Sequence, residues 1–221
     1  MTAAGRFVHL SPETAVQGGL LTPTIRRDLT DLNRQYLELA LAPELSADPR
    51  FAWSGVVRSG LVRSDPATLG RMAACPFALF DIRLPVERPA AASAPRRVED
   101  GVSVAATGEP WQGRCLAFAQ LALFVALRLA DAAPLATRIA LGLSPAAELK
   151  LQELCPSEVA QIAACPEVVR PRWPSNPRFW AMLRGAARID SASLLQSAHC
   201  FGICQLGPDL KPPSPSSPRP R

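Results

Sequence analysis

At 221 residues the chain is long enough for one large domain or two small ones with a substantial buried core. Hydrophobic residues make up 48% and charged residues 19%, which excludes a largely disordered chain. A net charge of +5, carried almost wholly by arginine with lysine only at Lys150 and Lys211, permits an anionic partner without requiring one.

Residues 1–21 lack the basic start and apolar run of a secretory signal, so a cytoplasmic location is expected, with the six cysteines as reduced thiols. Thr22-Pro23 supplies a cap and a first-turn proline for a helix. Ile25, Leu29, Leu32, Tyr36 and Leu39 then recur at four-three spacing, which makes one apolar stripe. Asp65-Pro66 opens a further helix, which must stop before Cys75-Pro76 because proline has no N–H to donate and clashes with the preceding turn. Phe77 to Arg83 fits a short strand or an edge segment, and periodicity does not choose between them.

Residues 85–110 are rich in Ala, Pro and Arg and read as a flexible linker. Cys115 to Ala130 is apolar on nearly every face. Gln120 and Arg128 interrupt it, and Asp131 and Pro134 follow closely. It is therefore expected to be a buried or partner-covering helix and not a membrane span. Ser144-Pro145 gives an extra helix start, and Cys155-Pro156 with Glu158 another. Asn176-Pro177 starts a helix carrying Phe179, Trp180 and Leu183, and a last helix runs from about Ser191 through Cys200. Residues 207–221, rich in Pro and Ser, read as a disordered tail.

A shift of 90 residues aligns the chain with itself. Pro66 falls on Pro156, Ala73-Ala74-Cys75-Pro76 on Ala163-Ala164-Cys165-Pro166, Leu37, Leu39 and Ala40 on Leu127, Leu129 and Ala130, and Ser54 on Ser144. The expected architecture is all-α. Two tandem homologous helical units, 22–84 and 111–206, are joined by the 85–110 linker, and the second includes the C-terminal helices.

Signals for chemistry are sparse. Cys75 and Cys165 suggest a redox pair or a metal site, against the plainer reading of soft residues packed at helix ends. His199, Cys200 and Cys204 fall short of the four closely spaced ligands of a zinc site. With two histidines, no glycine-rich phosphate loop and no paired-carboxylate motif, a non-enzymatic protein without metal or cofactor is expected. Arg170, Arg172, Arg178, Arg184 and Arg188 are interleaved with Trp173, Phe179 and Trp180. Guanidinium groups in that pattern suit contact with DNA phosphates and guanine edges. The alternative is a solvated basic face over an aromatic core.

Leu141-Gly142-Leu143, Leu151, Leu154, Pro156, Val159, Ile162-Ala163 and the exit Arg172-Trp173 form a pattern that resembles the FlhD family of flagellar transcriptional regulators. Ala126-Leu127-Arg128-Leu129-Ala130 resembles the end of that family's opening helix. Asp31-Leu32-Asn33 with Tyr36-Leu37-Glu38-Leu39-Ala40 resembles that helix more closely still. The match spans Asp31 to Arg83 and Cys115 to Trp173. The resemblance implies an all-helical cytoplasmic subunit that dimerises, joins a partner subunit and activates transcription at DNA. Duplication, linker and tail depart from the family. A fused pair would replace the homodimer by an internal pseudo-dimer, although a homodimer stays open. No DNA-contact residue carries over by motif. The rival function is a protein-interaction adaptor that does not bind DNA, docking through the apolar second-unit helix and the proline-rich tail.

Overall fold

The computed structural model describes residues 21–46, 48–84 and 110–205; the expected linker (apart from Pro110) and tail lie outside them. The protein is mostly helical, with nine α-helices among the described residues. Seven of the nine begin with proline, whose fixed φ and missing N–H suit the first turn.

Helix α1 spans Pro23–Leu41. The Thr22 hydroxyl accepts from the Ile25 N–H at 3.3 Å, and the predicted stripe from Ile25 to Leu39 is buried. Two 3-10 turns, Pro43–Leu45 and Pro49–Phe51, lead into α2, Gly55–Val62, capped by Ser54. Helix α3, Pro66–Ala73, is capped by Asp65. Asn33 on α1 fixes the chain beyond it. Its amide donates to Ala73 O at 3.1 Å and Phe77 O at 2.9 Å, and its carbonyl accepts from Leu79 N at 2.8 Å. Strand β1, Phe80–Ile82, follows.

Helix α4 spans Pro110–Ala132, taking in the residue read as the linker's last. Helix α5, Pro134–Leu141, ends at Gly142, whose φ of 67° supplies a left-handed cap. Helices α6, Pro145–Gln152, and α7, Pro156–Ala163, precede β2, Val169–Pro171. Helices α8, Pro177–Ile189, and α9, Ala192–Cys204, complete the chain.

The 90-residue offset recurs in the helices: α2 and α6 share bounds at that spacing, as do α3 and α7. The start at Ser144-Pro145 is therefore not extra. Its counterpart begins at Ser54-Gly55, where glycine in place of proline hides the signal. The strands pair antiparallel, Phe80 with Pro171, Asp81 with Arg170 and Ile82 with Val169, so the pairing centres within one position of the same offset. Antiparallel pairing of equivalent segments is what a twofold relation between the units produces. The ribbon is a small β element in a mostly helical fold: β1 falls within Phe77 to Arg83, read as a strand or an edge segment, and β2 has no sequence signal of its own.

One core serves both units. The ring of Tyr36, fully buried, meets Phe51 at 5.4 Å, Phe80 at 5.1 Å and Phe118 of α4 at 5.8 Å. The C-terminal helices follow the second unit in sequence and were expected to belong to it, yet α8 packs on α2 and α3 of the first. Trp180 meets Trp53 at 5.1 Å, and Arg71 Nε donates to Ala187 O at 2.5 Å. Gly60 lets Arg184 lie close against α2: a Cβ there would lie 2.5 Å from Arg184 Nη1.

Candidate functional site

Asn176 starts α8, its side chain accepting from the Phe179 N–H at 3.1 Å. Phe179, Trp180, Leu183, Ala186 and Ala187 then turn one face inward, which leaves Arg178, Arg184 and Arg188 for other faces. At the far end Asp190 takes a left-handed conformation, φ 56°, and Arg71 reaches it at 3.6 Å. A cation at a helix C-terminus meets the negative end of the helix dipole and an orphan carbonyl, so α3 is locked to α8.

That docking sets the α2–α3 turn beside α8. Arg63, Arg184 and Arg188 surround a concavity of about 300 Å³ with Ser64, Asp65 and Thr68. Asp65 is committed to its cap: Thr68 donates to it from Oγ1 at 2.7 Å and from N at 2.8 Å, which holds its carboxyl below the usual range. Among the described residues no carboxylate pairs with Arg63, Arg184 or Arg188. Three guanidinium groups without an ion-pair partner among the described residues outnumber the one lining carboxylate, Asp65, and can hold phosphate oxygens.

The five arginines singled out in sequence do not share one surface. Arg184 and Arg188 come together. Arg178 is exposed elsewhere on α8, its guanidinium 6.0 Å from the ring of Phe201. Arg170 lies in β2, paired with Glu167. Arg172 is withdrawn from the set. At 1% exposure it is core, with Nε donating to Asp81 at 2.6 Å and Nη1 to Ala140 O at 3.3 Å, so no DNA phosphate reaches it here. Arg63 is the member that sequence reasoning missed. Ser64-Asp65-Pro66 shows where α2 must give way to α3, but only the packing of α8 across that turn brings Arg63 to the cluster.

A second surface lies on α4. Cys115, Phe118, Ala119, Ala122, Leu123, Ala126, Leu129 and Ala130 are buried, while Leu116, Leu121 and Phe124 stand 36%, 40% and 49% exposed. The helix is long and apolar enough to cross a membrane by length and composition, but its inner face belongs to the shared core.

Cys75 is buried, which pushes its thiol well above the ordinary range, whereas Cys165 is only half-buried. His199 packs edge-on against Phe77 at 6.1 Å, and burial lowers its pKa. Among the described residues no group of three or more His, Cys, Asp or Glu side chains is placed to hold a metal ion. Compared with known proteins, the chain matches no family model, no curated protein and no solved structure.

Proposed function

We propose that the chain is a non-catalytic, FlhD-like regulatory subunit of the cytoplasm, acting through a protein partner and through DNA. The observation that carries the reading is the cluster of Arg63, Arg184 and Arg188, gathered from separate elements with no carboxylate partner among the described residues. Guanidinium groups bind phosphate oxygens in pairs, and such contacts supply most of the affinity for a nucleic-acid backbone. The 90-residue recurrence of α2 and α3 as α6 and α7, with strands pairing across it, supports an internal pseudo-dimer where the resembled family dimerises. The exposed side of α4, with Leu121 and Phe124 outermost, is the surface assigned to the partner.

The adaptor reading draws on that same α4 face without the arginines. Capture of the full chain from its own cells, followed by identification of what co-purifies, separates the two. Recovery of a transcription-factor subunit or RNA polymerase is the expected result. Recovery of only secretion, membrane or metabolic components would overturn the regulator and leave the adaptor.

A further inference from the structure

A second concavity, of about 540 Å³, opens where β1, the α5–α6 turn and the exit from β2 meet. Its walls carry the guanidinium groups of Arg83, Arg138 and Arg172 against one lining carboxylate, Asp81. Arg138 is paired with Glu148, whose side chain is buried behind it. Three cations thus face two anions, and Arg83, exposed, has no ion-pair partner among the described residues.

The fit of Arg172 is the decisive detail. It is 1% exposed, and two of its three guanidinium nitrogens are satisfied, by Asp81 and Ala140. Nη2 is buried without a hydrogen-bond partner. Buried donors are nearly always paired, and an orphan at the wall of a cavity is a place where an acceptor is missing. Gly142 lets the guanidinium lie against its backbone. A Cβ there would lie 2.6 Å from Nη2, and its φ of 67° already favours glycine. Trp173, next in the chain, also lines the cavity and holds a φ of 50°, a strained value for a bulky side chain. Leu84 and Leu143 add apolar wall. The lining is more polar than apolar, which suits a charged ligand, and its size is that of a small-molecule site.

We propose that this concavity binds a small organic anion, a carboxylate or phosphate monoester on an apolar body. Arg83 takes its head group at the wall backed by the buried, unpartnered Nη2 of Arg172, and its body lies along Trp173 and the leucines. The site lies apart from the arginine cluster on α8 and does not depend on the DNA reading.

Phenyl phosphate titrated into the full chain at low ionic strength, followed by calorimetry and tryptophan fluorescence, tests this. One saturable tryptophan-fluorescence transition is expected, from the concavity that Trp173 lines, with benzyl alcohol failing to produce it and inorganic phosphate binding there more weakly. Arg83→Ala, an exposed site that leaves folding intact, should weaken binding at least about tenfold by removing a charge-assisted hydrogen bond. Trp173→Phe should abolish the fluorescence change while heat of binding persists. Arg27→Ala, exposed on α1 and outside both arginine-lined concavities, should leave affinity unaltered. Absence of saturation at millimolar phenyl phosphate would overturn the proposal. So would equal affinity in Arg83→Ala, or inorganic phosphate binding as tightly as the phenyl ester.

Discussion

Asp81 Oδ1 accepts a hydrogen bond from Arg172 Nε at 2.6 Å, and this bond ties the first helical unit to the second where their strands pair. Burial pulls the Arg172 pKa down, and Asp81 opposes that pull. Removing one member of a buried pair strands the other charge. Asp81→Ala should therefore lower unfolding stability by about 3 kcal/mol in urea titration. Because the guanidinium is the buried partner, Asp81→Leu combined with Arg172→Met should recover most of that loss. A single variant within experimental error of the parent would show that the pair does not tie the units together.

Asn33 plays a comparable part inside the first unit. Its side chain satisfies three main-chain groups, at Ala73, Phe77 and Leu79, that no neighbouring strand or helix reaches. Asn33→Ala should cost about 3 kcal/mol, since each buried backbone group left unpaired is expensive. Asn33→Asp should not rescue it, because a carboxylate accepts from Leu79 N but cannot donate to the two carbonyls. Denaturant midpoints of the three proteins decide the point.

His199 gives a pH signature. Its imidazole is held below its ordinary pKa by burial, and Nε2 has no partner. The unfolded chain therefore takes up the proton first as pH falls. The stability is intact above about pH 6.5 and is lost progressively below it, toward the depressed folded value. Denaturant midpoints measured between about pH 7.5 and 5.5 should fall in the parent, and His199→Phe should flatten that slope. A slope unchanged in the variant would place the titration elsewhere.

Thiol reactivity should separate the cysteines by burial. Cys155, Cys200 and Cys204 are exposed, and burial raises the thiols of Cys75 and Cys115 away from the reactive thiolate. Under native conditions Ellman's reagent should label Cys155, Cys200 and Cys204 quickly and the buried two only on unfolding, as mass mapping would show. Rapid labelling of Cys75 would mean that the α3 end opens readily.

Much of the fold is legible in sequence because proline and cap residues announce helix starts locally. Thr22-Pro23, Asp65-Pro66, Cys155-Pro156 and Asn176-Pro177 each open a helix as read. Where the start residue is glycine, at Gly55, the signal fades and only the Ser54 cap marks α2. The apolar run of α4 suggests burial on all sides, but composition does not say which side a neighbour covers, and Phe124 stays outside. Arg172 and Arg188 look alike in sequence, yet one is core and the other surface, because only the first meets Asp81 across the paired strands. Arg63 joins the cluster through α8, more than a hundred residues away, and no local pattern carries that information.

We propose that the paired helical units meet DNA through Arg63, Arg184 and Arg188. Fluorescence anisotropy with promoter duplexes over a range of salt concentrations tests it most directly, with the captured partner supplied, on the parent and the Arg63/Arg184/Arg188 to alanine variant. Arginines bound to phosphates displace condensed counterions, so the parent's affinity should fall steeply with salt. The variant's slope of log affinity against log salt should be shallower by roughly 0.9 for every phosphate no longer neutralised. A double variant, Arg63 and Arg188 to alanine at two exposed positions, should keep the parent's thermal midpoint and still show a shallower slope, which separates DNA contact from the packing of half-buried Arg184 against Gly60. Equal affinity and equal slope in the two proteins would mean that these arginines do not meet DNA.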